Sequence, residues 1–419
     1  IHSIISVLKN CWINPIWNIC CAIRNKGGIV ACWNLVFRRY REGLSIKTIL
    51  RESWKSRIGT GYFEWQERFE KLTPQDMSAI RKQIQGLQSP PLISILMPVY
   101  NPDPHLLRQA LDSVQNQIYP YWELCIADDA SPNAQIQTIL EDYCRADSRI
   151  HVIFRKENGH ICAASNSALG LCTGTYTALM DHDDILPEVA LYFVAMEITQ
   201  HPDAMLIYSD EDLLSPQDKR YNPHFKPDWN EPLFLASNYL NHLSIYRTSL
   251  LREIGGFRLG YEGSQDHDLT LRCVLKIRPS QIRHIPRILY HWRQFPGSGS
   301  FSDRALEQCK KARRQAVADY LETKKCNATV TSGCFGFNKI NYTLKKLPLV
   351  TCVIPARNHA ELTQICLNGL LYHTDYAPIE VILVDNGSIE QDAISLYKSF
   401  KNHPKVHVIH WDKPFNYSE

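Results

Sequence analysis

From Pro91 onward, short apolar runs alternate with stretches in which apolar positions recur every three or four residues. ISILMPV (93–99), WELCIAD (122–128), RIHVIF (149–154), TYTALMD (175–181) and AMLIYSD (204–210) have the length and continuity of strands buried on both faces. HLLRQALDSVQNQ (105–117), IQTILEDYCRAD (136–147), ICAASNSALGL (161–171) and the stretch from Pro187 have helical spacing. Strand and helix in strict alternation predict βαβ units, hence an α/β fold with a mostly parallel sheet flanked by helices. Before this region, TPQDMSAIRKQIQGLQ opens on Thr73-Pro74 and stops ahead of Pro90-Pro91, as expected of a polar linker helix.

The pattern returns further along the chain. PLISILMPVYN (91–101) recurs as PLVTCVIPARN (348–358), and ELCIADDAS (123–131) as EVILVDNGS (380–388), both shifted by about 257 positions. HVI (151–153) recurs at 407–409. Two copies of one domain are therefore expected, the second stopping at Glu419 before a counterpart of residue 181. The organisation read from the sequence is an extension and linker at 1–90, a first domain at 91–325, a linker at 326–347 and an incomplete second domain at 348–419.

Residues 1–60 differ in kind. They carry ten Lys and Arg against Glu42 and Glu52, interleaved with runs such as CWINPIWNICCAI (11–23). That run is shorter than the ~20 residues a spanning helix needs, and it lacks a small-residue cleavage pattern. Two readings stand: a basic aromatic segment lying on an anionic membrane surface, or a helical extension packed on the main domain.

Over the whole chain, 46 basic residues nearly balance 43 acidic ones, which argues against a dedicated nucleic-acid binder. The 14 cysteines include no C-x-x-C pair, and several lie in apolar runs. Reduced thiols and a cytoplasmic location are the simplest reading.

In open sheets of this kind, ligands bind beyond the carboxyl ends of the strands. The first strand ends in Pro98-Val99-Tyr100-Asn101, the second in Asp128-Asp129, the fourth in Asp181-His182-Asp183-Asp184. An aromatic ring and up to five carboxylates thus converge on one rim. No phosphate loop and no dinucleotide fingerprint is present. Asp181 and Asp183 at i, i+2 on an extended segment would share a face, with His182 pointing away. Paired carboxylates repel unless a cation lies between them, and oxygen ligands suit Mg²⁺ or Mn²⁺, which commonly complete their shells with phosphate oxygens. Asp128 or Asp129 either caps the next helix or accepts hydrogen bonds from a base or ribose; Tyr100 is either a ring for the base or a core aromatic.

PLISILMPVYN, the ADDAS turn, ENG…ASN (157–166), the D-x-D at 181–183 and GFRLGYEGSQDHDLTLR (256–272) together resemble family 2 glycosyltransferases of the GT-A fold, over about Pro91 to Arg293. Within that family the chain looks most like enzymes that build bacterial O-antigen or capsule. The resemblance implies a nucleotide-diphosphate sugar as donor and a glycan or lipid-linked glycan as acceptor. It implies that Pro98, Tyr100, Asp129 and Asn158 contact the nucleotide sugar. It also implies that Asp181 and Asp183 hold Mn²⁺ or Mg²⁺ and the diphosphate, and that Asp266 is the catalytic base of an inverting reaction. Asp266 also lies near the start of a helical pattern, where the helix dipole alone would favour it. Gln265 stands where the family often has Glu, and His160 where many relatives have Gly. His291 in YHWR is either a phosphate or metal contact or a structural residue, and SDEDLL (209–214) either lines the site or forms a solvated loop. Two rival classes are a silent nucleotide- or glycan-binding module and a sugar-phosphate nucleotidyltransferase; the latter lacks its Gly-rich loop here.

Overall fold

The computed structural model describes residues 61–294 and 306–414. The expectations for residues 1–60 lie outside these. The chain divides into two compact units, Ile1–Ile340 and Asn341–Glu419.

In the first unit, α1 (Pro74–Gln85) starts at a capping box: the Thr73 hydroxyl accepts from the Asp76 N–H at 3.2 Å, and the Asp76 carboxylate accepts from the Thr73 N–H at 2.8 Å. Its Ile80 and Ile84 are buried in the core, so the predicted polar linker is a packed helix with one apolar edge. There follow β1 (Ile93–Val99), α2 (Pro104–Gln115), β2 (Trp122–Asp128), α3 (Ala134–Ala146), β3 (Ile150–Phe154), α4 (His160–Leu171), β4 (Tyr176–Leu179) and α5 (Ala190–Gln200). The expected alternation is all there. Next come β5 (Leu206–Leu214), β6 (Arg220–His224), α6 (Glu231–Ala236), β7 (Ser244–Arg247), α7 (Thr248–Glu253), α8 (Gln265–Val274), β8 (Ile282–Arg293), α9 (Leu306–Thr323), β9 (Ala328–Ser332) and β10 (Asn338–Tyr342).

The main sheet has the order β3-β2-β1-β4-β7-β5-β6, with β8 also paired to β5. Strands β1 to β4 are parallel, while β7 runs antiparallel between β4 and β5. Both faces are covered. Ile93, Ile95, Met97 and Val99 of β1 pack with α2, α3 and α5. Leu96 of β1 and Cys125 and Ala127 of β2 pack on the other face with α4, α8 and α9. This two-sided burial is why β1 and β2 read as unbroken apolar runs.

Two expectations need correction. The acidic stretch 209–214 is the buried second half of β5, not a solvated loop. Each carboxylate there meets a partner from elsewhere in the chain: Asp210 meets His284, Glu211 meets Lys226, and Asp212 meets Arg220 and His291. The stretch 326–347 is not an open linker. Strands β9 and β10 form a two-stranded sheet, Ala328, Val330 and Ile340 pack on the second core, and Asn338 Nδ2 donates to the Leu235 carbonyl at 3.0 Å.

The second unit contains β11 (Val350–Ala356), α10 (Ala360–Tyr372), β12 (Ile379–Asp385), α11 (Gln391–Phe400) and β13 (Val406–His410), with parallel strands in the order β11-β12-β13. The repeat extends to atomic detail. The register Val99↔Asp128 returns as Ala356↔Asp385. Asn101 N donates to Ser131 Oγ at 2.8 Å, and Asn358 N to Ser388 Oγ at 2.8 Å. The Tyr119 hydroxyl donates to the Pro91 carbonyl at 2.7 Å, and that of Tyr376 to the Pro348 carbonyl at 2.6 Å.

Candidate active site

The ends of β1 and β2 lie side by side, with the Asp129 N–H donating to the Val99 carbonyl at 2.8 Å. Ser131 donates from Oγ and N to the two oxygens of Asp128, at 2.5 and 3.1 Å. Asp128 is thus the turn residue. Asp129 is 2% exposed. Its carboxylate accepts from Arg155 Nε at 2.7 Å and from the Gly159 N–H at 3.0 Å, and its carbonyl accepts from Asn158 Nδ2 at 3.2 Å. Asp129 and Asn158 are therefore brought together, and what Asp129 shapes directly is the 155–159 loop. Gly159 is required there: a Cβ would lie 2.5 Å from Arg155 Nη2 and 2.8 Å from Ala163 Cβ. His160 takes a φ of 63° and opens α4. Tyr100, at the mouth of β1, is half-exposed, and the Pro98 carbonyl lies 3.1 Å from His182 Nδ1.

At the end of β4 the expected extended segment is replaced by a turn at His182-Asp183, which brings the Asp184 N–H to 3.5 Å from the Asp181 carbonyl. The neighbours across this turn are therefore Asp181 and Asp184, at i, i+3, instead of Asp181 and Asp183. The Tyr290 hydroxyl donates to Asp184 Oδ2 at 2.6 Å and accepts from the Asp181 N–H at 3.1 Å. Arg293 donates from its backbone N to Asp184 Oδ1 at 2.7 Å and from Nε to the Asp183 carbonyl at 2.9 Å. Burial, reinforced by the neighbouring carboxylates, raises Asp183 and lifts Asp184 well above the ordinary carboxylate range. The His242 ring stacks on Tyr290 with centroids 4.7 Å apart. One ligand atom from each of Asp181, Asp184 and His242 lies within 4.8 Å of the others. Two carboxylates and an imidazole at this separation fit a divalent cation such as Mn²⁺. Asp183 is not in this cluster, and His242 had no sequence signal beyond a polar Asn-His pair ahead of an apolar run.

Asp266 lies in the first turn of α8 and lines one cleft with Pro98, Ser165, Asp181 and Phe257. Gln265 Nε2 donates to its Oδ2 at 3.0 Å. Burial, helped by the charge of Asp181, pushes Asp266 up from 3.8 to about 6. Asp268, two residues on in the same turn, is occupied differently: it accepts from Arg258 Nε at 3.1 Å and Arg272 Nε at 2.9 Å. Of the two acidic residues, the one with a cleft before it is Asp266.

His291 pairs through its backbone with Ile185, next to Asp184, but is not one of the three grouped ligands. Its Nδ1 is 2.6 Å from Asp212 Oδ1, and Asp212 Oδ2 also accepts from the Tyr62 hydroxyl and Arg220 Nε, each at 2.6 Å. The structure thus gives His291 a packed network, with Tyr62 contributed by the segment before α1. Among the described residues, no helix is long and apolar enough to cross a membrane.

A mostly parallel sheet in which β7 and β6 are reversed, and a carboxylate turn at the carboxyl end of β4, define a GT-A type transferase fold. The family described as Glycosyl transferase family 2 matches residues 94–255 and 351–419. That is more than half of the chain, and the chain belongs to this family. It is 38% identical to the uncharacterized protein y4gI of Sinorhizobium fredii over 386 residues, 91% of this chain and 42% of that protein. It is 32% identical to the O-antigen biosynthesis protein RfbC of Myxococcus xanthus over 344 residues, 82% of this chain and 27% of that protein. The chain therefore spans less than half the length of either relative. The crystal structure of residues 1–349 of S. aureus TarS covers 55% of this chain and 65% of its own, at 21% identity and a TM-score of 0.44.

Proposed function

We propose that this chain transfers a sugar from a nucleotide-diphosphate donor to a hydroxyl of a growing cell-surface glycan, with inversion at the sugar carbon. The observation that carries this reading is the cleft shared by Asp181 and Asp266, beside the Asp181–Asp184–His242 cluster. Asp266 accepts the proton of the acceptor hydroxyl as its oxygen forms a bond to the anomeric carbon. The bond from that carbon to the diphosphate breaks, and its electron pair leaves with the nucleoside diphosphate. The raised proton affinity of Asp266 suits it to this exchange near neutral pH. Asp181, Asp184 and His242 would hold a divalent cation, which would supply positive charge against the departing diphosphate. Asp183, in the same turn, faces the diphosphate, Pro98 and Tyr100 flank the base, and Asp129 and Asn158 shape the loop beneath it. A lone base with no covalent nucleophile favours inversion.

The similarity to the O-antigen biosynthesis protein RfbC supports O-antigen or a similar surface polysaccharide as the product class. The basic segment 1–60 supports a peripheral contact with the inner face of the cytoplasmic membrane, where a lipid-linked glycan acceptor would be presented. The test is a screen of nucleotide-sugar donors with Mn²⁺ present and absent, scored by release of nucleoside diphosphate in the presence of acceptor. Cation-dependent release with one donor is expected. Tight nucleotide binding with no turnover across donors and acceptors would favour the silent binding module.

A further inference from the structure

Behind the cation cluster lies an ion pair that the chemistry above does not use. Lys226 follows β6 and its side chain is fully buried; Glu211, on β5, is 7% exposed. The Lys226 ammonium donates to the Leu240 carbonyl at 3.0 Å and to the His242 carbonyl at 2.6 Å, and it lies 3.8 Å from Glu211 Oε2. The same carboxylate accepts the His242 N–H, while Oε1 lies 3.1 Å from His224 Nδ1. The backbone of His242 is therefore gripped on its N–H side by the carboxylate and on its carbonyl side by the ammonium. A buried ammonium is costly unless fully partnered, and all three partners here fix one short loop. That loop delivers two groups to the cleft. The Asn241 side chain lies beside Asp266 and favours its ionised form, and the His242 ring stacks on Tyr290, the residue that holds Asp184.

We propose that the Lys226–Glu211 pair is a positioning device. It clamps the backbone of residues 240–242 so that the His242 imidazole can join Asp181 and Asp184 around a divalent cation. This rests on the cation reading of that cluster, and the controls separate the two. Neither Lys226 nor Glu211 touches the reacting atoms; both act through His242.

The experiment measures Mn²⁺ binding to the full chain by electron paramagnetic resonance. It also reads the nitrogen modulation that an imidazole ligand imposes on bound Mn²⁺. The wild type should show that modulation, and Asp181→Asn should lose Mn²⁺ binding. Lys226→Met should bind Mn²⁺ about 10–100-fold more weakly, the usual effect of removing a group that orients a ligand, and should lose the modulation. Where that variant fails to fold, Lys226→Met/Glu211→Met decides. Replacing both partners of a buried pair by apolar groups is often neutral for folding, yet it removes the clamp, so the same weakening and the same lost signal are expected from a chain with native circular dichroism. Either folded variant binding Mn²⁺ within threefold of wild type with the modulation intact, while Asp181→Asn does not bind, overturns the clamp and leaves the cation site standing. Asp181→Asn binding as wild type does, or a wild type without the modulation, overturns the cation site and the clamp with it.

Discussion

Replacing Asp266 with Asn should make the protein more stable and much less active, and the size of both effects follows from where the carboxylate sits. Its rise from 3.8 to about 6 comes first from burial and then from the charge of Asp181. At ~1.4 kcal/mol per tenfold change, holding this group ionised at neutral pH costs the fold up to about 3 kcal/mol. Its place in the first turn of α8 returns only about 0.3–1 kcal/mol through the helix dipole. Burial wins, so the neutral isostere should gain about 1–3 kcal/mol, several degrees in melting temperature. The sign carries a pH signature. Because the folded state holds the proton more tightly than the unfolded chain, the contribution of Asp266 is fully favourable below pH 3.8 and is lost as pH rises through about 6. The melting temperatures of wild type and Asp266→Asn should therefore converge at pH 4 and separate above pH 6.

Transfer moves the other way. A positioned base contributes about 10²–10⁴-fold, so Asp266→Asn should lower nucleoside diphosphate release by at least 100-fold with donor binding preserved. The wild-type rate should climb with pH through an acid limb at or below about 6, since a bound cation near Asp181 draws the value down. Melting curves from pH 4 to 8, paired with turnover on the same samples, read both effects. A variant less stable than wild type at pH 7.5, or one that turns over within tenfold of it, would show that Asp266 serves the helix and not the reaction.

Asp268→Ala is the converse case: it strips the carboxylate from Arg258 and Arg272, so urea denaturation should show a loss of about 3 kcal/mol. Gly159→Ala forces a Cβ against Arg155 and Ala163; a cost of about 1–3 kcal/mol is expected, and because the strain displaces the Asp129 loop, steady-state kinetics should show KM for the donor rising more than kcat falls. Chelation with EDTA should stop transfer by the wild type, Mn²⁺ should restore it, and Asp181→Asn should stay inactive after Mn²⁺ is added back.

The parts of this structure that were readable from the sequence are those decided by neighbours close along the chain. Strands β1 and β2 are buried on both faces, so their apolar runs needed no tertiary information, and Thr73, Pro74 and Asp76 cap α1 by local chemistry alone. What escaped depends on partners far away. The run Ser209–Leu214 looks like a loop until Lys226, Arg220, His284 and His291 are seen to meet its carboxylates. The turn at His182-Asp183 is held by Tyr290 and Arg293, more than a hundred positions on, so an extended D-x-D was the natural reading and the Asp181–Asp184 pair was not. The His242 ring meets Tyr290 and Trp292, and its backbone meets Glu211 and Lys226, all distant in the sequence. The site's carboxylates could be named from the sequence, but their grouping could not.

The repeated unit separates what the fold requires from what the chemistry requires. Both copies keep the serine-capped turn: Ser131 N donates to Asp128 at 3.1 Å, and Ser388 N to Asp385 at 2.9 Å. Both return the next strand to the same carbonyl, with the Arg155 N–H on Asp128 and the Trp411 N–H on Asp385, each at 2.8 Å. These contacts shape the strand ends and survive in both. The adjoining position does not: Asp129, paired with Arg155 in the first copy, is Asn386 in the second, where Trp411 occupies the place of the arginine. A buried carboxylate without its guanidinium would be destabilising, so acid and base have been replaced together by neutral groups. The change exchanges one buried ion pair for neutral groups while leaving the strand-end scaffold in place.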